Sequence, residues 1–468
     1  MKFLTGFALS ILLLFAACKK DSFINSPDAS VTITADTIKY DTVFVNAGSI
    51  TQSFKIINEN NQKLKLSSIK LLGGGSSYYT INADGISGPN VNDLEIAAND
   101  SLYVFVQVNI DPNSDNLPFV IRDSIQVSYN GKDRKVQLEA WGQNAHFFRE
   151  KEITANETWS NDLPYVILGY LHVNNGATLT ISKGTHVYIH ADAPIVVDGT
   201  LKVTGEKDTL DRVYFRGDRV DDPYKDYPAG WPGIYFRTYS QDNELNYAVI
   251  KNAYQAIALE DPSVNAVPKL SLNASIIDNA YDAGIISLNS SVKAINCLIS
   301  NCGKNLVLAR GGNYEFIHCT VASFSNNFIL HKDPVLYLSN YLVENNVAVA
   351  RDLTAVFQNN IFWGENGSVD DEVVLTKDAG ANSNVTFDSN LWKVKTDPSS
   401  MGAIVSNAIN NQSPQFDSID VNKRYYDFHL RTKNSPALNA GIVTSVSTDL
   451  DGNPRPVDQP DLGCYEKQ

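Results

Sequence analysis

The sequence has few cysteines, and none of them is spaced like a metal site. Only five of the 468 residues are Cys, with no C-x-x-C pair and no Cys/His cluster of zinc spacing. Apart from Cys18, the cysteines are Cys297, Cys302, Cys319 and Cys464. We expect Cys297 and Cys319 to be buried thiols on adjacent coils of a stacked repeat, because side chains stacked in parallel seldom reach the disulfide torsion.

Basic residues are scarce and do not form runs. The chain has 38 Lys and Arg against 52 Asp and Glu, a net charge of −14. An acidic chain without a basic cluster is a poor partner for nucleic acid, so we expect no nucleic-acid ligand. Only two Met stand against 22 Tyr and 20 Phe, a bias typical of a β-rich protein.

Long hydrophobic runs are also missing, except at the N-terminus. Lys2 precedes an apolar run from Phe3 to Phe15, which ends in Ala16-Ala17-Cys18. The run is too short to span a bilayer comfortably and ends in small residues, as a targeting segment does.

This leader is similar to a bacterial lipoprotein signal in its residues Leu14-Phe15-Ala16-Ala17-Cys18. The resemblance implies a signal peptide over residues 1–17 and a lipid on Cys18, which would anchor the chain to a bilayer. The alternative is an ordinary secretory signal. If Cys18 is lipidated, residues 18–30 form a flexible tether, and Lys19 after the Cys favours the outer membrane by analogy with lipoprotein sorting in other bacteria.

The second half of the chain carries a repeat. An Asn or another polar residue is followed three positions later by a large apolar residue. The first residues of successive pairs are 27, 23, 22, 22, 19 and 30 positions apart. The segments are short and β-branched, so stacked coils of strands are predicted, with the apolar member of each pair in the core. The pairs are Asn246/Val249, Asn273/Ile276, Asn296/Ile299, His318/Val321, Asn340/Val343, Asn359/Phe362 and Ser389/Trp392.

Residues 31–143 read differently, as short alternating strands separated by turn signals. About seven or eight strands in about 110 residues are typical of an immunoglobulin-like sandwich. The stretches Gln52-Ser-Phe-Lys-Ile-Ile-Asn and Val136-Gln-Leu-Glu-Ala-Trp-Gly resemble the immunoglobulin-like domains of cilium-associated and bacterial surface proteins.

Residues 147–395 resemble the right-handed parallel β-helix proteins of bacterial cell surfaces, which are pectate-lyase-like solenoids. The Asn-x-x-Ile coils and the turn Trp231-Pro-Gly-Ile carry this resemblance. Residues 396–468 resemble the terminal segment of such proteins, and we expect them to cap the open end of the solenoid. The predicted fold class is therefore all-β: a sandwich, a right-handed parallel β-helix and a C-terminal cap.

The polar member of each pair is predicted to have a structural role. Asn tolerates left-handed backbone and bonds its own turn, so stacked copies would form a ladder along the solenoid. The alternative, a row of ligand-binding amides, is less economical. The predicted ladder comprises Asn246, Asn273, Asn296, His318, Asn340 and Asn359.

The loop from Gly217 to Trp231 is the candidate ligand site. Its carboxylates would suit Ca²⁺ and its aromatic rings would suit sugar faces. The spacing matches no metal-loop signature, so no cofactor is predicted, although Ca²⁺ stays open. The alternative is a solvated insertion that Trp231 anchors to the solenoid. The candidate residues are Asp218, Asp221, Asp222, Tyr224, Asp226, Tyr227 and Trp231.

No catalytic set can be assigned from the sequence. Hydrolysis of a glycosidic bond needs carboxylates at a defined separation, and the coil carboxylates lie at differing offsets from the repeat position. We therefore predict a lipid-anchored envelope protein that binds or displays, towards a glycan or a partner protein. The alternatives are a polysaccharide lyase or hydrolase acting on the β-helix surface and a purely structural component. The carboxylates concerned are Glu260, Asp278, Asp282, Glu315 and Glu344.

Overall fold

The chain is all-β. The computed structural model describes residues 22–44, 51–109, 119–220, 224–431 and 433–468. They divide into two compact units, one up to Asn144 and one from Ala145 onward. Besides strands there are short 3₁₀ segments at Gly74–Ser76, Tyr224–Asp226 and Pro398–Met401. Within these ranges no helix has the length and apolarity that a membrane crossing requires. Cys18 lies outside the described residues.

The first unit contains two five-stranded sheets, with orders β1-β3-β8-β5-β6 and β2-β10-β9-β4-β7 once its strands are numbered along the chain. Neighbouring strands are antiparallel except β2 and β10, which run parallel. The sheets bond to each other, since Tyr40 donates to the Val106 carbonyl and Tyr79 to the Ile121 carbonyl. The strands are β1 Val31–Ile33, β2 Thr37–Phe44, β3 Gln52–Asn58, β4 Leu64–Leu71, β5 Tyr79–Ala83, β6 Ile86–Ser87, β7 Asn90–Ile96, β8 Ser101–Val108, β9 Phe119–Tyr129 and β10 Lys132–Gln143.

The second unit is built on one parallel sheet of 26 strands, which run from β11 to β38 without β30 and β31. The strands are β11 His146–Ile153, β12 Glu157–Trp159, β13 Tyr165–Val173, β14 Thr178–Ser182, β15 His186–Ile189, β16 Ile195–Val197, β17 Thr200–Thr204, β18 Val213–Gly217, β19 Ile234–Phe236, β20 Asn243–Asn246, β21 Ala248–Lys251, β22 Gln255–Glu260, β23 Leu270–Asn273, β24 Ile276–Asp278, β25 Ala283–Ile295, β26 Leu298–Ser300, β27 Lys304–Ile317, β28 Thr320–Phe324, β29 Leu336–Ser339, β30 Tyr341–Glu344, β31 Val347–Ala350, β32 Leu353–Gln358, β33 Ile361–Glu365, β34 Val373–Thr376, β35 Ser383–Asp388, β36 Leu391–Trp392, β37 Ile404–Ser406, β38 Ile409–Asn410, β39 Phe416–Asp420 and β40 Tyr425–Leu430.

The strands of this sheet return on themselves at a regular interval. Strand β14 pairs with β17, β17 with β20 and β20 with β23, always in parallel. Three successive strands therefore make one coil, and each coil is hydrogen-bonded to the next. This pairing is consistent with a β-helix solenoid.

The core is a set of apolar files inside the coils. In one file, like residues lie over like through six successive layers, and all of them are buried. Its members are Ile250, Ile277, Ile299, Val321, Phe362 and Trp392. Four of the seven predicted apolar partners belong to this file: Ile299, Val321, Phe362 and Trp392.

The other three apolar partners lie elsewhere. Val249 and Ile276 fall one residue before the core file and form an outward file with Leu298. The three-residue spacing could not distinguish the inward residue from the outward one, because Ala248, Val249 and Ile250 are all apolar. Val343 is wrongly predicted as core: it is 60% exposed, on a β30–β31 hairpin that interrupts the repeat.

The turn that precedes these strands is left-handed in every layer of the file. Its residues are Tyr247, Ala274, Asn296, His318, Asn359 and Ser389, with φ between 45° and 59°. Three predicted ladder residues therefore occupy the turn: Asn296, His318 and Asn359. Asn359 Nδ2 lies 3.0 Å from His318 Nε2, and burial lowers the pKa of His318 to about 2, which keeps the ring neutral.

The remaining ladder predictions need correction. Asn246 and Asn273 pair with each other but lie one residue before the turn. Asn340 is not in this file, because it follows β29 of another face and bonds the backbone of Asp378 and Ala381. An Asn before an apolar residue marks any tight turn of such a chain, so the motif alone could not distinguish these positions.

Only the start of residues 396–468 packs on the core of the coils, through Met401 and Ala403, so the predicted cap of the open end is not confirmed. Residues 404–410 still form strands of the last coil, and the following segment lies along the side of the coils. Its apolar residues Phe416, Phe428, Leu450 and Leu462 pack with outward residues of the coils. The outward file of apolar residues needs a cover, which explains why the segment lies there.

Polar contacts fix this lateral segment. Arg455 is buried and donates to Asn296 Oδ1 over 3.0 Å and to Glu466 Oε2 over 2.9 Å. Asp451 lies 3.2 Å from Arg212. A hydrogen bond to Asp451, with Asp427 nearby, raises the pKa of His429 to about 9. The charged imidazole therefore supports the docking at neutral pH.

The cysteine prediction is confirmed. Cys297, Cys302, Cys319 and Cys464 are all buried free thiols. Burial raises the pKa of Cys319, and the neighbouring Cys297 thiol raises it further.

Ile299→Ala tests the core file against the repeat motif. Removing a fully buried side chain should lower the free energy of unfolding by about 2–5 kcal/mol. Val343→Ala is the matched control, since Val343 holds the same motif position but is exposed, and should cost less than about 0.5 kcal/mol. Urea denaturation followed by circular dichroism measures both. Equal effects of the two substitutions would contradict the assigned register.

Candidate ligand-binding cleft

A cleft of about 390 Å³ opens on one side of the second unit. Its floor is the outward face of β18, β21 and β24, where Lys251 and Asp278 are paired neighbours on adjacent coils. One wall is the 3₁₀ segment Tyr224–Asp226 and the other is the β39–β40 hairpin. The lining residues are Tyr214, Phe215, Arg216, Lys225, Asp226, Val249, Lys251, Asn252, Asp278, Asn279, Asn301, Asn326, Lys423, Arg424 and Tyr426.

A second file of asparagines holds the first wall. Asn252, Asn279 and Asn301 all have left-handed backbone, with φ of 62°, 59° and 51°. Asn252 Nδ2 donates to the Lys225 carbonyl over 2.7 Å, and Asn279 Nδ2 donates to Asn252 Oδ1 over 2.8 Å and to the Asp226 carbonyl over 3.1 Å. The amides thus join the coils to the wall.

This second file was not predicted from the sequence. Its members recur at steps of 27 and 22 positions, the same steps that separate the turn residues Tyr247, Ala274 and Asn296. A search for any residue type that repeats with the coil period would have found it. The three asparagines lie five positions after those turn residues.

The two walls are tied together over the cleft. Arg424 Nη2 lies 3.1 Å from Asp226 Oδ2, and the Arg424 guanidinium lies 5.1 Å from the ring centre of Phe328. Tyr227 packs on the same Phe328 ring at 4.8 Å. The lateral C-terminal segment therefore shapes the cleft, which the coils alone would leave open.

Positive charge exceeds negative charge in the lining. Five lining residues are Lys or Arg and two are Asp. Asp278 lies 3.2 Å from Lys251 Nζ and also accepts from Ser300 and Asn301, while Asp226 is paired with Arg424. Both carboxylates of the lining therefore have a cationic partner within the cleft. Lys423 lies 3.2 Å from Asp420 Oδ2, outside the lining, and Arg216 donates to the Tyr188 hydroxyl over 2.8 Å.

The predicted loop contributes only part of its residues to the cleft. Asp226 lines it. Tyr224 lies beside it, with its ring 3.9 Å from the Arg219 guanidinium and 5.3 Å from Tyr227. Asp218 is not a lining residue of this cleft: its Oδ2 is 2.6 Å from His190 Nδ1, and burial raises its pKa. Asp221 and Asp222 lie outside the described residues.

Trp231 is not available to a ligand. Its side chain is 1% exposed and belongs to the core of the coils, and Nε1 donates to the Lys251 carbonyl over 2.9 Å. The prediction of Trp231 as a ligand-binding residue is wrong. Trp231 instead anchors the loop to the core of the coils, as the alternative interpretation of the loop predicted. Its hydrogen bond also fixes the backbone at Lys251.

Chemically, the cleft presents N–H donors and cations over a polar floor. Such a surface binds oxyanions such as carboxylate or sulfate, together with hydroxyl groups. Within the described ranges, no group of three or more His, Cys, Asp and Glu side chains is placed to hold a metal ion. Ca²⁺ requires oxygen ligands, and the two carboxylates of the lining, Asp226 and Asp278, are both engaged in ion pairs.

Comparisons with known proteins give no family. No protein-family model and no curated protein matches the chain. Among solved structures, a family 123 glycoside hydrolase from Clostridium perfringens aligns at 12% identity with a TM-score of 0.20, over 28% of this chain and 30% of that one. The Escherichia coli chaperone DraB aligns at 7% identity and 0.17, over 25% and 55%. The Salmonella enterica SafA pilin–SafB chaperone complex aligns at 9% identity and 0.17, over 26% and 57%.

These alignments are short and loose. The chain covers less than two thirds of each matched chain, and the TM-scores are too low for the likeness to bear on fold or function.

Asn279 separates the two roles of the second asparagine file. Asn279→Gly keeps the left-handed backbone but removes the amide bonds, so the wall should loosen and trypsin should cut after Lys225 faster. Asn279→Ala should also lower the free energy of unfolding by roughly 1 kcal/mol more than Asn279→Gly, because a Cβ is unfavourable there. Timed proteolysis and urea denaturation measure the two effects.

The control is Asn407→Gly, since Asn407 has a φ of 51° but bonds Asp388, away from the wall. Cleavage after Lys225 should be unchanged in this variant. If Asn279→Gly also leaves the cleavage rate unchanged, the amides do not hold the wall.

Proposed function

We propose that the protein binds an acidic glycan at the cell envelope, through the cleft on its second unit. The observation that carries the proposal is that five Lys and Arg side chains but only two Asp side chains line the cleft, on a chain whose net charge is −14. Amide and hydroxyl groups of the lining would take sugar hydroxyls, and its Lys and Arg side chains, Lys251 on the floor among them, would take carboxylate or sulfate groups. Tyr214 and Tyr426 would supply apolar contact area.

The size of the cleft favours a short glycan segment. At about 390 Å³ it is within the range of small-ligand sites, roughly 300–1,000 Å³, and would admit a few sugar rings. A nucleic acid would need a wider basic surface, which an acidic chain does not favour. Because the cleft is small, a long glycan polymer would place only a short segment in it, either a chain end or an exposed internal stretch.

The rest of the chain supports a role in display. We propose that Cys18 is lipidated and fixes the chain to the outer membrane, and that the sandwich of residues 31–143 is an immunoglobulin-like spacer. The coils would wind as a right-handed β-helix and form a rigid body that presents the cleft. The stiffness of stacked coils supports this role, because each coil is bonded to its neighbours.

Lys251→Gln tests the cleft. Loss of this floor cation should weaken binding of an acidic oligosaccharide, for example oligogalacturonate, about fivefold to tenfold, and added salt should reduce the difference. Isothermal titration calorimetry measures the affinity. The control is Lys293→Gln, because Lys293 also pairs with a carboxylate of the next coil, at 2.8 Å, with a similar exposure. It lies away from the cleft.

Two results would overturn the proposal. One is an affinity for acidic glycans that the Lys251 substitution leaves unaltered. The other is the release of reducing or unsaturated sugars from the polymer, since the protein would then be a hydrolase or lyase. Asp278 and Asp226 both carry an ion pair, which argues for binding over catalysis by these groups.

Cys18→Ser tests the anchor. The unaltered protein should partition into the detergent phase of a Triton X-114 extract and take up labelled fatty acid, whereas the variant should do neither. One acyl chain alone gives only weak anchoring, and stable anchoring needs two signals. Nearly complete partition into the detergent phase would therefore indicate more than one acyl chain. Detergent partition of Cys18→Ser like that of the unaltered protein would rule out lipidation at this residue.

A further inference from the structure

A second candidate surface lies on a different set of strands from the cleft. Tyr254 and Tyr281 directly precede β22 and the segment leading into β25, on adjacent coils. Their side chains are 45% and 52% exposed, and their ring centres are 6.0 Å apart with the planes 27° from parallel. Two large aromatic side chains are thus held side by side in solvent, although neither contributes to the core.

Polar side chains next to the tyrosines are fixed in place. Asp282 accepts from Gln255 Nε2 over 2.8 Å and from Lys304 Nζ over 3.0 Å. The three residues come from successive coils, and the central carboxylate orients the other two. A planar amide, a carboxylate and an ammonium therefore border the aromatic pair in a set geometry.

A shallow apolar groove of about 410 Å³ continues from this point across the same sheet. Its floor is an outward file in which Val196, Tyr235, Ala258 and Ile286 are paired neighbours on four coils. Gln255 lines its near end, and Arg237 and Glu260 line its far end. We call the tyrosine pair, the polar trio and this groove together the tyrosine face.

The charge of the tyrosine face is balanced. It carries two cations, Lys304 and Arg237, and two anions, Asp282 and Glu260. Lys304 is satisfied by Asp282, and Arg237 bonds Asp198 through Nε over 3.0 Å. The formal charges of the tyrosine face therefore sum to zero, whereas five cationic and two acidic side chains line the cleft.

We propose that the tyrosine face is a carbohydrate-binding surface for a neutral glycan chain. A sugar ring has an apolar C–H side that packs on an aromatic ring and a rim of hydroxyls that needs donors and acceptors. The tyrosines offer the first and the Gln255–Asp282–Lys304 trio offers the second. The groove would take the following sugar unit on Tyr235 and Ile286. This site is independent of the proposed cleft function.

The test uses the chain from residue 19 onward, which lacks the proposed lipid on Cys18, with three soluble neutral polymers: laminarin, xyloglucan and galactomannan. At least one should bind, and Tyr254→Ala and Tyr281→Ala should each weaken that binding about tenfold. Gln255→Ala should weaken it less. Tyr425→Ala is the control, because Tyr425 is 56% exposed but lies on the β39–β40 hairpin. Thermal melting checks that each variant is folded.

Salt separates this site from the cleft. Neutral-glycan binding should be the same at low and high ionic strength, and Lys251→Gln should not change it. Acidic-glycan binding should be unchanged in Tyr254→Ala. Failure of one site and not the other is therefore visible in the same set of measurements.

Three outcomes would overturn the inference. The first is the lack of binding to all three neutral polymers. The second is binding that neither tyrosine substitution weakens. The third is a sedimentation coefficient that falls when Tyr254 or Tyr281 is replaced in the absence of glycan, because the face would then be an interface between copies of the chain.

Discussion

The structure of the second unit depends on one constraint: parallel strands must lie about 4.8 Å above one another, coil after coil. A residue type that suits one coil is then placed directly over its equivalent in the next. Inside, this favours apolar files such as Ile277, Ile299 and Val321. At the turns it favours residues that tolerate positive φ, and Asn is the commonest of these after Gly.

The same constraint explains where a binding surface can form. Outward side chains are also in files, so neighbouring coils offer rows of equivalent groups at fixed spacing. A row of outward side chains forms a binding site only where another element adds walls to it. The 224–231 loop and the lateral C-terminal segment do so at the cleft. Asp226 and Arg424 are 198 positions apart in the chain and meet at 3.1 Å, because the segment returns along the side of the coils.

The sequence alone predicted the all-β class and a long parallel sheet, since the coil period and the short β-branched segments are local properties. It could not predict the register in the first coils, because Tyr247 and Ala274 occupy the left-handed turn where an Asn was expected. Asn340 and Val343 match the repeat motif, although Val343 lies on the β30–β31 hairpin, which is not part of the coils. Of the candidate site, the loop was found, but Asn252 and Asn279 were missed and Trp231 was misassigned, since burial of a loop aromatic depends on tertiary contacts.

The two candidate surfaces differ in the interaction that would dominate each. In the cleft, Lys and Arg side chains outnumber Asp side chains five to two, so electrostatic attraction would dominate and would weaken with salt. On the tyrosine face the charges are matched, so contact area on Tyr254, Tyr281 and Tyr235 would dominate. A glycan that combined acidic and neutral sugars in one chain would meet both kinds of interaction. A rigid stack of coils that bears both kinds of surface could engage both, and simultaneous contact at two sites raises the apparent affinity without any stronger single contact.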